Sequence, residues 1–439
     1  MNEATLARAT MGMSLGFHIV FASLGVGLPV LLSVAEGVGL LRHDATWVAL
    51  ARRWATSFAI LFAVGAVSGT VLSFELGLLF PGFMAFSGSM IGLPFSAEGF
   101  AFFLEAIFLG LYIYGWNRLS PLAHWLCSIP IAVSGAASAL FVVMVNSWMN
   151  TPAGFKLDHG RVVDINPLAA AFNPSVGTED PHMLFSAYTV TGFLVAAVYA
   201  AGMLRRRTFD TWHRRGLTMG MAMGMVAILL AGIWGDSSAR FLYKEQPIKF
   251  AALEGLFQTQ RDAPIHILGI PLESEHKTVF AIEIPDGLSL LAAFNPDAQV
   301  RGLDSFPAND LPNPIIVHLS FDTMVGLSTL VGLLSLLFWF LYWRRRGPPL
   351  SRLILLAVAL AGPAMVVALE AGWFVTEFGR QPWVVYGIIR TNNSATDAPG
   401  LGPFFGLFLL IYVVLAVTTA QLLLYMARRE RRKDAEETH

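Results

Sequence analysis

Apolar runs of about 20 residues recur along this chain, near 11–41, 47–79, 91–117, 122–146, 181–204, 217–236, 314–343, 352–374 and 401–427. Each is long enough to cross a hydrocarbon core of roughly 30 Å as a helix. In lipid, every backbone N–H and C=O must find its partner within the protein, which leaves helices or a closed barrel, and runs of this length are helices. Composition agrees. With 55% hydrophobic and 13% charged residues in 439, the chain has too little charge to cover a water-soluble domain. The expected fold is therefore all-α: a polytopic membrane helical bundle of about nine transmembrane helices. The first two runs exceed what a bilayer needs, which predicts tilt or extension beyond it. The N-terminal MNEATLARAT leads into the first run without a small-residue cleavage pattern, so no removable signal peptide is expected.

Basic residues set the expected orientation. Arg42, Arg52 and Arg53 lie around the 1–2 connection and Arg118 in the 3–4 connection. The 5–6 connection reads RRRTFDTWHRR, the 7–8 connection WRRRGPPLSR and the tail ARRERRKDAEETH. The alternate connections are poorer: PGFMAFSGSM, read as the 2–3 connection, has no basic residue, and the 4–5 connection has only Lys156 and Arg161. This predicts an external N-terminus and a cytoplasmic C-terminus in a bacterial cytoplasmic membrane. The expected organisation is spans one to six over 1–236, an external loop over 237–313, spans seven to nine over 314–427 and a tail over 428–439. That loop, long and extracytoplasmic between spans six and seven, carries helix-like and strand-like pieces and reads as folded and functional. No inverted repeat of the secondary-transporter kind is apparent.

The net charge of −1 gives no basis for binding nucleic acid. The single cysteine, Cys127, excludes an internal disulfide, a CxxCH haem attachment and an iron–sulfur site. A cofactor must then be held by His, Met, carboxylates or contacts without a metal. No Walker loop, GxGxxG, HExxH or nucleophile elbow occurs.

Ionisable side chains inside a membrane cost at least about 2.5–3.5 kcal/mol each, so they are functional candidates. Glu98 and Glu105, seven residues apart in SAEGFAFFLEAIFLG, share one helix face with roughly 10 Å of rise between them. They suit proton carriers, ligands or partners of a cation. His18 falls early in the first run, where its ordinary reading is a histidine bonded to a neighbouring carbonyl. His182 opens the fifth run and Met324 lies early in the seventh. Imidazole and thioether together suit a six-coordinate, low-spin haem, with His318 as a competing ligand. Glu370, Trp373, Glu377 and Arg380 follow i, i+3, i+7, i+10 spacing, one stripe if the eighth helix continues that far. Such a stripe suits a metal or a haem with carboxylates to neutralise, or an interfacial salt-bridge cluster. Lys249 and Glu254, in IKFAALEG, read ordinarily as a surface ion pair.

Several of these stretches resemble subunit I of the cytochrome bd quinol oxidases. EAGWFVTEFGRQPW is similar to the signature closing that family's eighth span, and EGFAFFLEAIFLGLYIYGW to its third-span motif. NSWMNTP, GDSSAR, KFAALE and FAIEIP follow in the family's order, so the resemblance runs along nearly the whole chain.

The resemblance implies three haems: a low-spin haem b, a high-spin haem b, and a haem d or a third haem b. It makes His182 and Met324 the axial ligands of the low-spin haem, and His18 and Glu377 ligands of the high-spin pair. Glu98 falls at that same pair and Glu105 on a proton route. Trp373 lies among the haems, and Arg380 and Arg8 face haem carboxylates. Lys249 and Glu254 match loop residues tied to quinol binding and oxidation. The implied activity is a quinol:oxygen oxidoreductase that generates a proton motive force without pumping. The implied partners are a second large subunit (subunit II), small single-span subunits, quinol, O2 and membrane lipid. Asp322 departs from the pattern, standing where many members carry arginine. Two competing readings are a haem-b membrane subunit passing electrons to quinone and a proton-coupled transporter.

Overall fold

The computed structural model describes residues 2–206 and 209–436. Arg207 and Thr208 of the 5–6 connection and the last three residues of the basic tail lie outside the described residues.

Nine helices among the described residues are long and apolar enough to span a membrane. They are α1 (Glu3–Arg42), α2 (Ala45–Leu79), α3 (Pro81–Gly115), α4 (Pro121–Asn150), α6 (Val176–Arg206), α7 (Thr211–Glu245), α10 (Pro314–Arg345), α11 (Arg352–Arg380) and α12 (Leu401–Glu436). Three short helices lie in the connections: α5 (Pro167–Ala171), α8 (Pro247–Leu253) and α9 (Gly287–Ala293).

The helices overrun their apolar runs, and two expectations change with them. PGFMAFSGSM is not a connection; it is the first turns of α3, separated from α2 only by Phe80. Pro81 takes the first helical turn, where its missing N–H would be unsatisfied in any case. The hydroxyl of Ser87 turns back on its own helix, donating to the Phe83 carbonyl at 2.7 Å, so polarity there does not break the helix. The sixth span likewise continues to Glu245, so residues 237–245 of the expected loop are helical. The eighth helix does reach Arg380, which places the Glu370–Arg380 stripe on one face.

α1 to α4 pack as one antiparallel group, and α6, α7, α10 and α11 as a second; α1 and α4 lie against α6, and α12 leans on α1 and α2. Small residues set the tightest approach. A side chain on Gly220 of α7 would come within 2.6 Å of the Ala196 backbone on α6, and one on Gly192 within 2.4 Å of the Gly224 backbone. Such close contact stands in for the hydrophobic drive that lipid removes between helices. α6 is the most enclosed of the nine spans and α12 the least.

The connections differ sharply between the two ends. Those after α1, α3, α6 and α10 are short and carry the arginines. There Asp44 caps α2 by accepting from Thr46 N at 2.9 Å and pairs with Arg215 of α7 at 2.6 Å. The guanidinium holds the Asp44 carboxyl down to about 2. The opposite end carries the long excursions. Residues 151–175 include the hairpin β1 (Lys156–Asp158) and β2 (Arg161–Val163). Residues 246–313 begin with α8 and then fold into a nested antiparallel ribbon. In it β3 (Ile265–Ile267) pairs with β6 (Ile282–Ile284), and β4 (Ile270–Leu272) with β5 (Lys277–Val279). Residues 381–400 hold β7 (Trp383–Val385) and β8 (Ile389–Arg390). A second apolar core, with Phe83, Trp148 and Val385, seats two of these excursions on the bundle.

Candidate functional site

Most of the polar groups singled out in the sequence gather toward the end with the long excursions. His182 lies in the second turn of α6. Its Nδ1 donates to the Ala231 carbonyl of α7 at 2.9 Å, leaving the Nε2 lone pair as a donor to a metal. Gly235, one turn on, makes room for the ring: a Cβ there would lie 3.1 Å from His182 Cε1. His18 is set the same way. The hydroxyl of Ser68 on α2 gives its proton to the Val64 carbonyl and so accepts from His18 Nδ1 at 2.9 Å, again leaving Nε2. The sequence expectation of a carbonyl partner is replaced here by a serine on the neighbouring helix.

Met324 projects from α10 onto α11, where its sulfur would be 2.8 Å from a Cβ on Gly372. The competing His318 is fully buried, with its Nε2 also left without a hydrogen-bond partner. Its Nδ1 donates to the Leu253 carbonyl of α8 at 2.6 Å, and its Nε2 lies 3.6 Å from Asp322. Asp322 in turn accepts from Leu268 N at 2.6 Å, so it pins the ribbon of the excursion. That is the local use of an acid where many members have arginine.

Glu377 accepts from Asn146 Nδ2 of α4 at 2.9 Å and from Arg380 Nη2 at 2.7 Å. Arg380 is 2% exposed, and its Nε and Nη1 have no partner. A buried guanidinium with two unmet N–H groups fits an anion, a carboxylate above all. Arg8 of α1 reaches the same end, donating to Gln381 Oε1 at 3.1 Å. Trp373 is half-buried between Gly372 and Phe374. Glu370 turns toward α1, where a Cβ on Gly16 would meet its Oε2 at 3.4 Å.

Lys249 and Glu254 are not a surface pair. They are 3% and 2% exposed and face different groups. The lysine stem lies along Gly379 of α11, and its ammonium faces Glu179, Arg380 and Glu377. Burial lowers Lys249 to about 8, Glu179 resisting and Arg380 adding to the fall. Glu254 is raised to about 8 by burial, with Asp322 adding like charge. A carboxyl and an amine that both titrate near neutrality suit proton exchange with a bound phenol.

On α3, Glu98 and Glu105 both face α4. Glu98 accepts from Ser138 Oγ at 3.1 Å, while Glu105 points at Gly135, where a Cβ would meet its Oε1 at 3.1 Å. Glu105 is 5% exposed and that oxygen has no partner.

Among the described residues no three or more His, Cys, Asp or Glu side chains converge on one point. Donors that come singly suit an iron whose equatorial positions a macrocycle fills. The two imidazoles with Nε2 directed away from their hydrogen bonds and the unmet Arg380 N–H groups fit haem and its carboxylates.

The sequence profile of the cytochrome bd terminal oxidase subunit I family matches residues 6–431. The chain belongs to that family. Among its relatives, a putative cytochrome bd menaquinol oxidase subunit I of Bacillus subtilis (strain 168) is 38% identical, over 98% of this chain and 97% of the relative. A cytochrome bd ubiquinol oxidase subunit 1 of the same organism is 30% identical, over 99% and 95%. The solved bd oxidase of Geobacillus thermodenitrificans superposes with a TM-score of 0.92 at 37% identity, over 98% of this chain and 99% of that one. Membership in the cytochrome bd family implies haem cofactors and a multi-subunit membrane complex.

Sequence reasoning passed over other buried groups of this bd subunit. Glu75 on α2 is 1% exposed, accepts from Ser14 Oγ at 2.9 Å and keeps Oε2 unpartnered. Glu179 faces Lys249, and Glu36 meets Tyr112 and His124. Each acid was visible as a lone charge in or beside an apolar run. Its partners, on other helices, were not.

Proposed function

We propose that this chain is the haem-bearing catalytic subunit of a terminal respiratory quinol oxidase, taking electrons from quinol at one membrane face and reducing O2 to water with protons from the other. The observation that carries the reading is the pair of half-buried histidines, His18 and His182, each held through Nδ1 so that Nε2 is free for iron. His182 and Met324 would hold a low-spin haem b. His18 and Glu377, with Glu98 close by, would hold a high-spin haem b and a haem d, or a third haem b. Arg380 and Arg8 would neutralise haem carboxylates, with Trp373 packed among the rings. When bound, haem would supply one-electron carriage and the redox centre for oxygen reduction.

The chain's own residues supply the rest. Residues 246–313 form the quinol-binding unit between the membrane units 1–245 and 314–427, with 428–439 as the cytoplasmic tail. Glu254, as carboxylate, accepts a quinol proton, and Lys249 orients a quinol oxygen by donating to it. Glu105 delivers protons arriving from the arginine-rich end, which the distribution of basic residues makes cytoplasmic; the N-terminus is then outside. Proton release at one face and uptake at the other builds a proton motive force without a pump. Phe100, Phe103, Ile107, Leu111 and Tyr114 form an exposed apolar face on α3 that suits a second large membrane subunit, small single-span subunits or lipid.

The test is a spectrum and a rate on the purified membrane complex. Haem b and a red-absorbing haem d band, together with quinol-dependent oxygen consumption, are expected. Haem b without oxygen consumption would return the chain to a quinone-linked electron-transfer subunit, and a haem-free protein to a transporter.

A further inference from the structure

We propose that Glu36, Tyr112 and His124 form a proton-loading site at the arginine-rich end of the bundle that feeds Glu105; this rests on the oxidase reading above. The three side chains come from α1, α3 and α4 and are 2%, 0% and 3% exposed. Tyr112 donates its hydroxyl proton to Glu36 Oε2 at 2.5 Å. His124 Nδ1 lies 2.6 Å from Glu36 Oε1, and its Nε2 lies 2.8 Å from the Tyr112 carbonyl.

The count of protons makes the cluster more than a clasp. A carbonyl only accepts, so Nε2 of His124 carries a hydrogen. The remaining short contact, Nδ1 to Oε1, needs one further proton, which sits either on the imidazole or on the carboxyl. Both positions keep every hydrogen bond made. A buried site with two homes for one proton can pass it from the carboxyl to the imidazole and onward; release leaves Nδ1 and Oε1 as two facing acceptors, a contact that draws in the next proton.

Access favours the arginine-rich end. The Trp116 ring covers His124 with centroids 4.0 Å apart, the Arg52 guanidinium lies 5.4 Å above Trp116, and Asn117 and Arg118 are exposed next to it. On the other side, Glu98, Glu105 and Tyr112 follow one another at seven-residue steps on a single face of α3. Each step rises roughly 10 Å, more than one hydrogen bond spans, so water must bridge it. The facing seam is polar enough to hold water: Ser33 and Ser128 share a hydrogen bond of 2.9 Å, Ser134 is buried, and Gly135 presents no side chain to Glu105.

Glu36→Gln separates the relay from a structural pin. The amide oxygen still accepts from Tyr112 and the amide N–H still donates to neutral His124, but the side chain stores no proton. In the complete purified oxidase we expect unchanged haem spectra and KM for quinol, maximal oxygen consumption down about tenfold or more, and a larger H2O/D2O isotope effect, with partial recovery in Glu36→Asp. Wild-type turnover and isotope effect in Glu36→Gln overturn the proposal. Should that variant not retain haem, Tyr112→Phe decides by the same readouts, and wild-type values there overturn it too. A wild-type enzyme that consumes no oxygen with quinol refutes the oxidase reading itself; an active one with an unimpaired Glu36→Gln refutes the relay alone.

Discussion

Replacing Arg380 by methionine removes a buried cation while keeping most of its volume. Two consequences follow from its contacts. Glu377 loses the 2.7 Å bond to Nη2 and keeps Asn146 as its hydrogen-bond donor, with the Lys249 ammonium as the remaining nearby cation. Breaking one side of a buried pair costs about 3–5 kcal/mol, because the surviving charge stays desolvated. If Nε and Nη1, which have no partner within the protein, hold a haem carboxylate, haem retention falls by a comparable amount. At 1.36 kcal/mol per decade that is roughly 10²–10⁴ in binding constant. A second variant distinguishes the two. Arg380→Lys keeps a cation beside Glu377 and should regain thermal stability, but it lacks the planar Nε and Nη1 donors and should not regain haem. The assay is haem per protein from the absorption spectrum of the purified complex, read beside thermal unfolding. Full haem content in Arg380→Met, or its recovery in Arg380→Lys, would falsify the carboxylate role of the two free N–H groups.

Met324→Leu should abolish the low-spin haem signal while His318→Ala preserves it, checked by reduced-minus-oxidised spectra; the opposite result would make His318 the ligand. Glu105→Ala is expected to keep its haems yet lose most oxygen reduction, and full turnover in that variant would remove Glu105 from the proton route. Glu254, raised to about 8, is mostly protonated at neutral pH. If its carboxylate takes the quinol proton, quinol oxidation should rise about tenfold per pH unit below 8 and level above it. Glu254→Gln should lose quinol oxidation, yet an artificial donor that reduces the haems directly should still drive oxygen consumption. A wild-type rate flat between pH 6 and 8 would argue against this role.

The spans were legible because lipid imposes a length and a polarity that leave little freedom. The stripe from Glu370 to Arg380 was legible for the same kind of reason, since its spacing needs only a helix that continues. The burial of Lys249 and Glu254 was not. Both sit in a polar loop, and only the approach of α8 to Gly379 and of the ribbon to Asp322 takes them out of water. The cluster of Glu36, Tyr112 and His124 was hidden by distance along the chain, its acid 76 and 88 residues from its partners. PGFMAFSGSM misled through its small and polar letters, because a proline at a helix start and a serine bonded back to its own helix leave α3 intact.

The unequal lengths of the connections at the two ends also bear on how the chain is made. Short links let α1–α2, α3–α4, α6–α7 and α10–α11 enter the membrane as hairpins, each soon after synthesis. The stretch 246–313 has no such independence. Its Lys249 rests on Gly379 of α11, and its Leu268 and Leu253 are tied to Asp322 and His318 of α10. The surface that surrounds Lys249 and Glu254 is therefore completed only by helices synthesised after it. A chain stalled before α11 would carry the ribbon without the helix that buries Lys249, so on the proposed role of Lys249 and Glu254 a partly made subunit could not oxidise quinol.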